Sequence, residues 1–202
     1  MLETIFVLTI FLCYAVLWKV KQIRLMRESG IDVQVIQKST SNVQQYFSRL
    51  TSILSLYMAI SIIAHSLNFQ IGSLFTRIDR LSFLGVDITG LLVGLTGLSL
   101  CLYAQIKMGS SWRVGIDEKN STELVTNGLY QYIRNPTYLG LFAMNLGIWL
   151  IWPTWSVFFF AMFFIFFLEV QVRCEEDYLT AVHGIKYVEY KKRTKRYVPF
   201  IY

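Results

Sequence analysis

Long apolar runs separated by charged connections are the main pattern along the chain. A membrane-spanning helix needs about 20 mostly apolar residues, and residues 4–20, 50–69 and 88–106 are predicted to be such helices. A further apolar stretch, residues 137–172, is too long for one span, and Trp152-Pro153-Thr154-Trp155 divides it. Proline interrupts a helix and tryptophan favours the membrane interface, so this stretch is predicted to form two antiparallel helices joined by a tight turn. The pattern as a whole predicts an all-α, polytopic membrane protein with about five transmembrane helices.

Composition and charge agree with this fold class and give it an orientation. Of the 202 residues, 54% are hydrophobic and 16% are charged, which is too little charge for an ordinary soluble domain. Apart from Arg77 and Arg80, all of the 19 lysines and arginines fall in the first connection, the third connection or the tail. Because basic residues collect on the cytoplasmic side of a membrane, we expect the N-terminus outside and a helical C-terminal segment in the cytoplasm.

Several classes of protein are disfavoured by the same residues. The net charge of +6 comes from basic residues that flank apolar segments. No nucleic-acid partner is therefore expected, and the expected partners are membrane lipids. Three cysteines and two histidines match no zinc spacing, so no metal is expected. Glu3 stands where a cleaved signal peptide would carry basic residues, so the first segment is expected to be a retained span.

Two features inside the spans predict helix packing. Gly90, Gly94 and Gly97 recur at close spacing in the third span, and small residues allow membrane helices to approach closely. His65 is alone in an apolar segment, where a hydrogen-bonded packing role is expected.

The first candidate site is the connection that leads into the fourth span. Pro136 suits the first turn of a helix because it has no N–H and a preset backbone angle. Asn135 is predicted to cap that helix with its side chain. Arg134 beside the positive helix N-terminus makes a plausible site for a carboxylate or phosphate, with the rings of Tyr130 and Tyr138 nearby.

The second candidate site is the acidic end of the fifth span. Glu175, Glu176 and Asp177 are consecutive on a side of the membrane where basic residues collect. Charged groups at this depth usually have partners, so one acid is expected to point into a polar pocket while another remains solvated.

These two stretches, in this order, resemble the isoprenylcysteine carboxyl methyltransferase family, which also includes phospholipid N-methyltransferases. The family signature is Gly-x-Tyr, then Arg-His-Pro-x-Tyr-x-Gly opening a helix, a helical hairpin, Glu-Glu-x-x-Leu, Gly-x-x-Tyr-x-x-Tyr and a basic segment with a proline. The corresponding residues here are Gly128 to Tyr130, Arg134 to Gly140, Glu175 to Leu179, Gly184 to Tyr190, and Pro199, with Trp112 upstream.

The resemblance implies an S-adenosylmethionine-dependent methyltransferase that binds its cofactor without a Rossmann domain. The acceptor would be lipophilic, either a prenylcysteine-like carboxylate or a phospholipid amine, and would react at the cytoplasmic membrane interface. Arg134 would face the cofactor carboxylate, Glu175 its ammonium, and Glu175 or Glu176 could accept a proton from an amine acceptor. By resemblance, the cofactor-binding residues would be Leu124, Val125, Tyr130, Asn135, Pro136, Thr137, Tyr138 and Glu175, and the catalytic residues Arg134, Arg173 and Glu176.

Two positions depart from the family pattern. Asn135 replaces the histidine of the carboxyl methyltransferases and cannot act as a general base near neutral pH. Gln171 replaces an arginine thought to hold the acceptor carboxylate in those enzymes. Arg173 is the nearest substitute, but two residues correspond to about 200° around a helix. These departures weaken the expectation of a prenylcysteine acceptor.

The chain is read as one membrane-embedded domain, with N-terminal spans in residues 1–106 and a cofactor-binding methyltransferase core in residues 107–202. Two alternatives stay open at this point. The ending from Arg196 to Tyr202 is also similar to that of NAD(P)H-dependent sterol and steroid reductases. The second alternative is a non-enzymatic scaffold or a small transporter. Transport is not favoured, because the first three spans contain no acid–base relay.

Overall fold

A computed structural model describes residues 1–30, 32–37, 39, 41–67, 69, 72–117 and 122–199. Lys38 and Lys119, which contribute to the charge pattern, and residues 200–202 of the basic ending lie outside the described residues. The described part folds into α-helices joined by connections that include short 3-10 turns. The helices are α1 (Leu2–Ser29), α2 (Asn42–Ser66), α3 (Leu84–Met108), α4 (Pro136–Ile151), α5 (Trp155–His183) and α6 (Ile185–Arg193).

The helix lengths agree with a polytopic membrane protein. Four helices, α1, α2, α3 and α5, are long and apolar enough to cross a membrane. Helix α4 is apolar but has only 16 residues, about 24 Å of helix, and it packs against α3, α5 and α1. The predicted all-α membrane fold is therefore confirmed, with four candidate spans and one shorter apolar helix.

The predicted break after the fourth helix is present. Helix α4 ends at Ile151 and α5 begins at Trp155. Thr154 caps α5, because its side-chain oxygen accepts a hydrogen bond from the Val157 N–H at 3.3 Å. The carbonyl of Pro153 accepts from the Ile78 N–H at 2.8 Å, which attaches the turn to the connection before α3.

Glycines bring α3 and α4 into backbone contact, as the sequence predicted for this part of the third span. A Cβ atom added at Gly147 would lie 2.5 Å from the carbonyl oxygen of Gly90 and 2.6 Å from the backbone nitrogen of Gly94. Similarly, a Cβ atom at Gly140 would lie 2.6 Å from the carbonyl oxygen of Gly97. No larger residue fits at these positions without separating the two helices.

The end of the bundle opposite the acidic residues of α5 is held by an ionic group and an aromatic stack. Arg77 pairs with Glu3 and, at 3.1 Å, with Asp87. His65 stacks on Trp152 with ring centroids 4.9 Å apart and lies 3.5 Å from the Ser156 hydroxyl. The packing role expected for His65 is thus confirmed.

Replacing Gly147 with alanine should destabilise the fold, because the new methyl group would meet backbone atoms that cannot rotate away. We expect Gly147→Ala to lower the free energy of unfolding in detergent by about 1–3 kcal/mol, the usual cost of overpacking. Gly85→Ala in α3 is the matched control, since its Cβ would meet only the flexible Phe83 ring. Equal thermal stability of the two variants would contradict the close α3–α4 contact.

Candidate active site

One cavity collects the predicted cofactor-binding residues, while Glu176 and Arg173 do not line it. Its walls come from the start of α4, the acidic end of α5, the connection before α4 and the tyrosines of α6, and its volume is about 120 Å³. All eight predicted cofactor-binding residues line it, together with Arg134. The lining residues are Met108, Ser111, Thr122, Glu123, Leu124, Val125, Tyr130, Arg134, Asn135, Pro136, Thr137, Tyr138, Glu175, Leu179, Tyr187 and Tyr190.

Glu175 lies at the boundary between this cavity and a second one. Its Oε1 accepts hydrogen bonds from the Tyr138 hydroxyl at 2.6 Å and from Gln171 Nε2 at 3.0 Å. The second cavity, of about 100 Å³, is also lined by Glu175, with Arg113 and Asp117 on its other side. A carboxylate in this position can bind a cationic group from either cavity.

Glu176 faces a different set of partners, here called the Glu176 cluster: Glu176, Arg134, Asn135 and Arg196. The Oε1 of Glu176 accepts from Arg134 Nε at 2.9 Å and from Asn135 Nδ2 at 3.1 Å. Its Oε2 accepts from Arg196 Nη2 at 2.9 Å. The Glu176 side chain is only 3% exposed. A carboxylate this deeply buried needs such charged partners.

Asn135 does not cap α4 as predicted. Its side chain makes no capping hydrogen bond, and the amide donates to Glu176 instead. Only its backbone carbonyl serves the helix, accepting from the Leu139 N–H at 3.1 Å. The prediction was wrong because a buried carboxylate forms a stronger hydrogen bond than a helix-end N–H does. Pro136 does occupy the first turn, as predicted.

The C-terminal segment forms a wall that supports the site. The Lys195 N–H donates to the Tyr132 carbonyl at 3.0 Å, and the Arg134 N–H donates to the Lys195 carbonyl at 2.8 Å. The Asn135 N–H donates to the Arg196 carbonyl at 3.1 Å. These bonds hold Arg134 and Asn135 at the entrance to α4. Sequence reasoning missed Arg196, because a basic residue in a basic tail gives no signal of burial.

Deeper along α5, the same segment meets a second carboxylate. Arg196 Nη1 lies 3.0 Å from Glu169 Oε1, and the Tyr197 hydroxyl donates to Glu169 Oε2. The Tyr197 ring packs edge-on against Phe142 of α4, with centroids 5.1 Å apart. Arg196 therefore bridges two carboxylates of α5.

Arg173 is not brought together with the other candidates. Its side chain is 56% exposed and pairs with Glu169 at 2.9 Å. It does not line either of the two cavities that Glu175 borders, as its position about 200° around α5 from residue 171 suggested.

Three tyrosines give the cavity an aromatic wall. The Tyr190 hydroxyl donates to the Tyr130 carbonyl at 2.6 Å, and the Tyr187 and Tyr190 rings lie 5.8 Å apart. Burial raises the pKa of Tyr130, Tyr187 and Tyr190 above the ordinary value of a phenol. All three therefore stay neutral at physiological pH, with electron-rich faces that can contact a cation.

Comparison with known proteins agrees with this arrangement. Residues 89–181 match the family model of the isoprenylcysteine carboxyl methyltransferase (ICMT) family. Over these residues, slightly less than half of the chain, the protein is similar to the ICMT family. The matched residues include helix α4 and, in α5, Glu175 and Glu176. They end before α6 and Arg196.

Curated ICMT proteins are similar over a larger part of the chain. The human protein-S-isoprenylcysteine O-methyltransferase is 32% identical over 154 residues, which cover 73% of this chain and 52% of the human protein. Protein-S-isoprenylcysteine O-methyltransferase B of Arabidopsis thaliana is 34% identical over 116 residues, covering 55% and 58% respectively. This chain thus spans about half the length of the curated relatives it matches.

The fold is also that of an ICMT structure. The eukaryotic intramembrane Ras methyltransferase ICMT superposes with a TM-score of 0.64, covering 97% of this chain and 68% of that chain. Sequence identity is 20%, so this likeness shows the fold alone.

The Glu176 cluster should be a major source of stability at the candidate site. Glu176→Gln removes the charge that balances two largely buried guanidinium groups, and we expect a loss of about 3–5 kcal/mol in the free energy of unfolding. Glu28→Gln is the control, because the Arg24–Glu28 pair is exposed and should contribute less than about 1 kcal/mol. Chemical unfolding in detergent measures both. Similar small losses would show that the cluster does not stabilise the fold.

Proposed function

We propose that this protein transfers a methyl group from S-adenosylmethionine to a lipophilic acceptor at the cytoplasmic face of a membrane. The observation that carries the proposal is the single cavity lined by all eight predicted cofactor-binding residues, with Glu175 among them. The ICMT match and relatives named as O-methyltransferases support the same activity.

The chemistry of the cavity fits the polar groups of this cofactor. Glu175 suits its ammonium group, and the faces of the tyrosines suit its sulfonium or adenine. The first turn of α4 has backbone N–H groups without helical partners, which suit its carboxylate. Arg134 adds positive charge there, although its Nε is engaged by Glu176 and its Nη1 by the Thr194 carbonyl at 2.6 Å. We therefore assign Arg134 to positioning this end of the site.

The chain's own residues need to do little beyond positioning. When bound, the sulfonium of the cofactor supplies an already activated methyl group. Alignment of two reactants can lower a barrier by about 7–11 kcal/mol, and the cavity walls would supply that alignment. Glu176 already accepts hydrogen bonds from two arginines and Asn135, so we assign it to positioning Arg134 and Asn135. Glu175 is the better candidate to accept a proton from an acceptor.

A route for a lipophilic acceptor runs along α5. An apolar groove of about 520 Å³ lies between α2 and α5 and includes Phe47, Phe163 and Phe167. Phe163, Phe167, Gln171 and Glu175 follow one another at intervals of four residues, so they form one row on the helix. An acyl or prenyl chain in the groove would bring its head group past Gln171 to Glu175. With the proposed N-terminus outside, this end of α5 faces the cytoplasm, where the water-soluble cofactor enters.

Calorimetry with purified protein tests the cofactor. We expect binding of S-adenosylmethionine and S-adenosylhomocysteine, and no binding of NADPH. Glu175→Gln should weaken the affinity for S-adenosylhomocysteine about 10- to 150-fold, since a hydrogen bond to a charged group contributes about 1.5–3 kcal/mol. Asp177→Asn, at an exposed position on the same helix, should bind as the parent does. Binding of NADPH alone would instead favour a reductase.

The acceptor chain should contribute to recognition as well as the reacting head group. Each methylene buried in the groove is worth about 0.8 kcal/mol. Shortening the chain of an accepted lipid by several carbons should therefore lower kcat/KM steeply, measured with labelled S-adenosylmethionine in vesicles. Equal efficiency with a short water-soluble analogue would rule out the groove as the acceptor site and leave the cofactor assignment intact.

A further inference from the structure

Unpaired positive charge is concentrated in the C-terminal segment. Five of the six residues from 191 to 196 are basic, and Arg196 alone among them pairs with carboxylates in the part of the chain that the structure describes. The other four are here called the basic patch: Lys191, Lys192, Arg193 and Lys195. The last three of these are exposed. Repulsion among neighbouring like charges opposes a compact structure, so an anionic partner would stabilise this segment.

The chain beyond the basic patch returns to the level of the apolar helices. The Lys195 N–H donates to the carbonyl of Tyr132, just before α4 begins. Two residues later, the Tyr197 ring packs against Phe142, six residues into α4, which is about 9 Å along that helix. Helix α4 carries no charged residue, and Val198, which follows at this level, is 40% exposed. The basic patch therefore lies at the boundary between the apolar helices and water.

On its inner side, the same segment holds the entrance of the candidate site. The Thr194 carbonyl accepts a hydrogen bond from Arg134 Nη1 at 2.6 Å. The N–H groups of Arg134 and Asn135 donate to the carbonyls of Lys195 and Arg196. The exposed cations and the contacts with the site thus belong to the same few residues. A partner that binds the outer side favours the inner contacts too, because it binds the docked position of the segment.

We propose that the basic patch binds the head groups of anionic lipids and that this contact stabilises the docked C-terminal segment. Clusters of about four to eight Lys and Arg next to the cytoplasmic end of a membrane helix attract anionic lipids. A lipid surface fits this position better than an acidic protein segment, because the exposed Val198 continues from the patch to the apolar level, where a bilayer supplies acyl chains.

The lipid contact has a consequence for the site, and this consequence rests on the proposed function. The docked segment fixes Arg134 and Asn135 at the entrance of α4. The affinity for the cofactor should therefore increase when anionic lipids are present.

Spin-labelled lipids test the contact itself. With the full chain in phosphatidylcholine vesicles, electron paramagnetic resonance gives the association constant of spin-labelled phosphatidylserine relative to that of spin-labelled phosphatidylcholine. We expect the parent protein to prefer phosphatidylserine, and this preference to decrease as salt screens the exposed charges. A triple variant without the exposed cations should lower the ratio toward one: Lys192→Gln, Arg193→Gln and Lys195→Gln. An unchanged ratio in this variant would overturn the lipid contact.

Calorimetry with S-adenosylhomocysteine tests the effect on the site, since this ligand has no net charge for an anionic surface to attract. The parent protein should bind it about fivefold more tightly in phosphatidylcholine–phosphatidylserine vesicles than in phosphatidylcholine alone, which corresponds to the attraction of one Lys or Arg to an anionic surface. The triple variant should bind equally in both. The matched control removes three exposed cations from α1 and α2 and should keep the parent's difference: Lys19→Gln, Arg27→Gln and Arg49→Gln.

The remaining outcomes separate the parts of the proposal. Equal affinity of the parent protein in the two vesicles would overturn the effect on the site. If soluble polyglutamate in phosphatidylcholine vesicles raised the affinity as phosphatidylserine does, an acidic protein segment would replace lipid as the partner. Failure to bind S-adenosylhomocysteine in either vesicle would instead overturn the proposed function, and the spin-label comparison would still decide the lipid contact.

Discussion

The buried carboxylate of Glu176 is the group on which the rest of the candidate site depends. It joins the entrance of α4, through Arg134 and Asn135, to the C-terminal segment, through Arg196. Arg196 in turn reaches the partly exposed Glu169, so two guanidinium groups and two carboxylates pair with one another along this side of α5. Burial of any one of these charges alone would be costly, which is why the three segments must come together for the site to form.

Glu175 and Glu176 are consecutive but have different surroundings, because a helix turns by about 100° per residue. Glu176 points toward the C-terminal segment and is engaged with arginines, whereas Glu175 points toward the cavities and contacts only Tyr138 and Gln171 in the hydrogen bonds described above. One acid thus supports the structure of the site, and its neighbour is available for a ligand. The pair explains how a mostly apolar helix can carry both functions within one turn.

Helix α5 also connects the membrane to the proposed chemistry. Its 29 residues extend about 43 Å, which exceeds the roughly 30 Å hydrocarbon thickness of a bilayer. Its phenylalanines line the groove with α2, and its acidic end lies at the cavity. The opposite wall of the cavity includes Pro136 to Tyr138, the first residues of α4. The close glycine contact between α3 and α4 holds these residues in place.

The amino-acid sequence by itself determined the apolar helices, the break at Pro153, the start of α4 at Pro136 and, through the family resemblance, nine of the 16 residues that line the cavity. These follow from local rules: the length of an apolar run, the missing N–H of proline and short motifs whose members are near one another along a helix. Tertiary structure alone decided that Asn135 serves Glu176 instead of capping α4 and that the Arg196 side chain is largely buried beside two carboxylates. Each of these outcomes depends on which charged side chains come into contact when α4, α5 and the C-terminal segment pack together. These residues are far apart in the chain, so local sequence patterns do not predict their contacts.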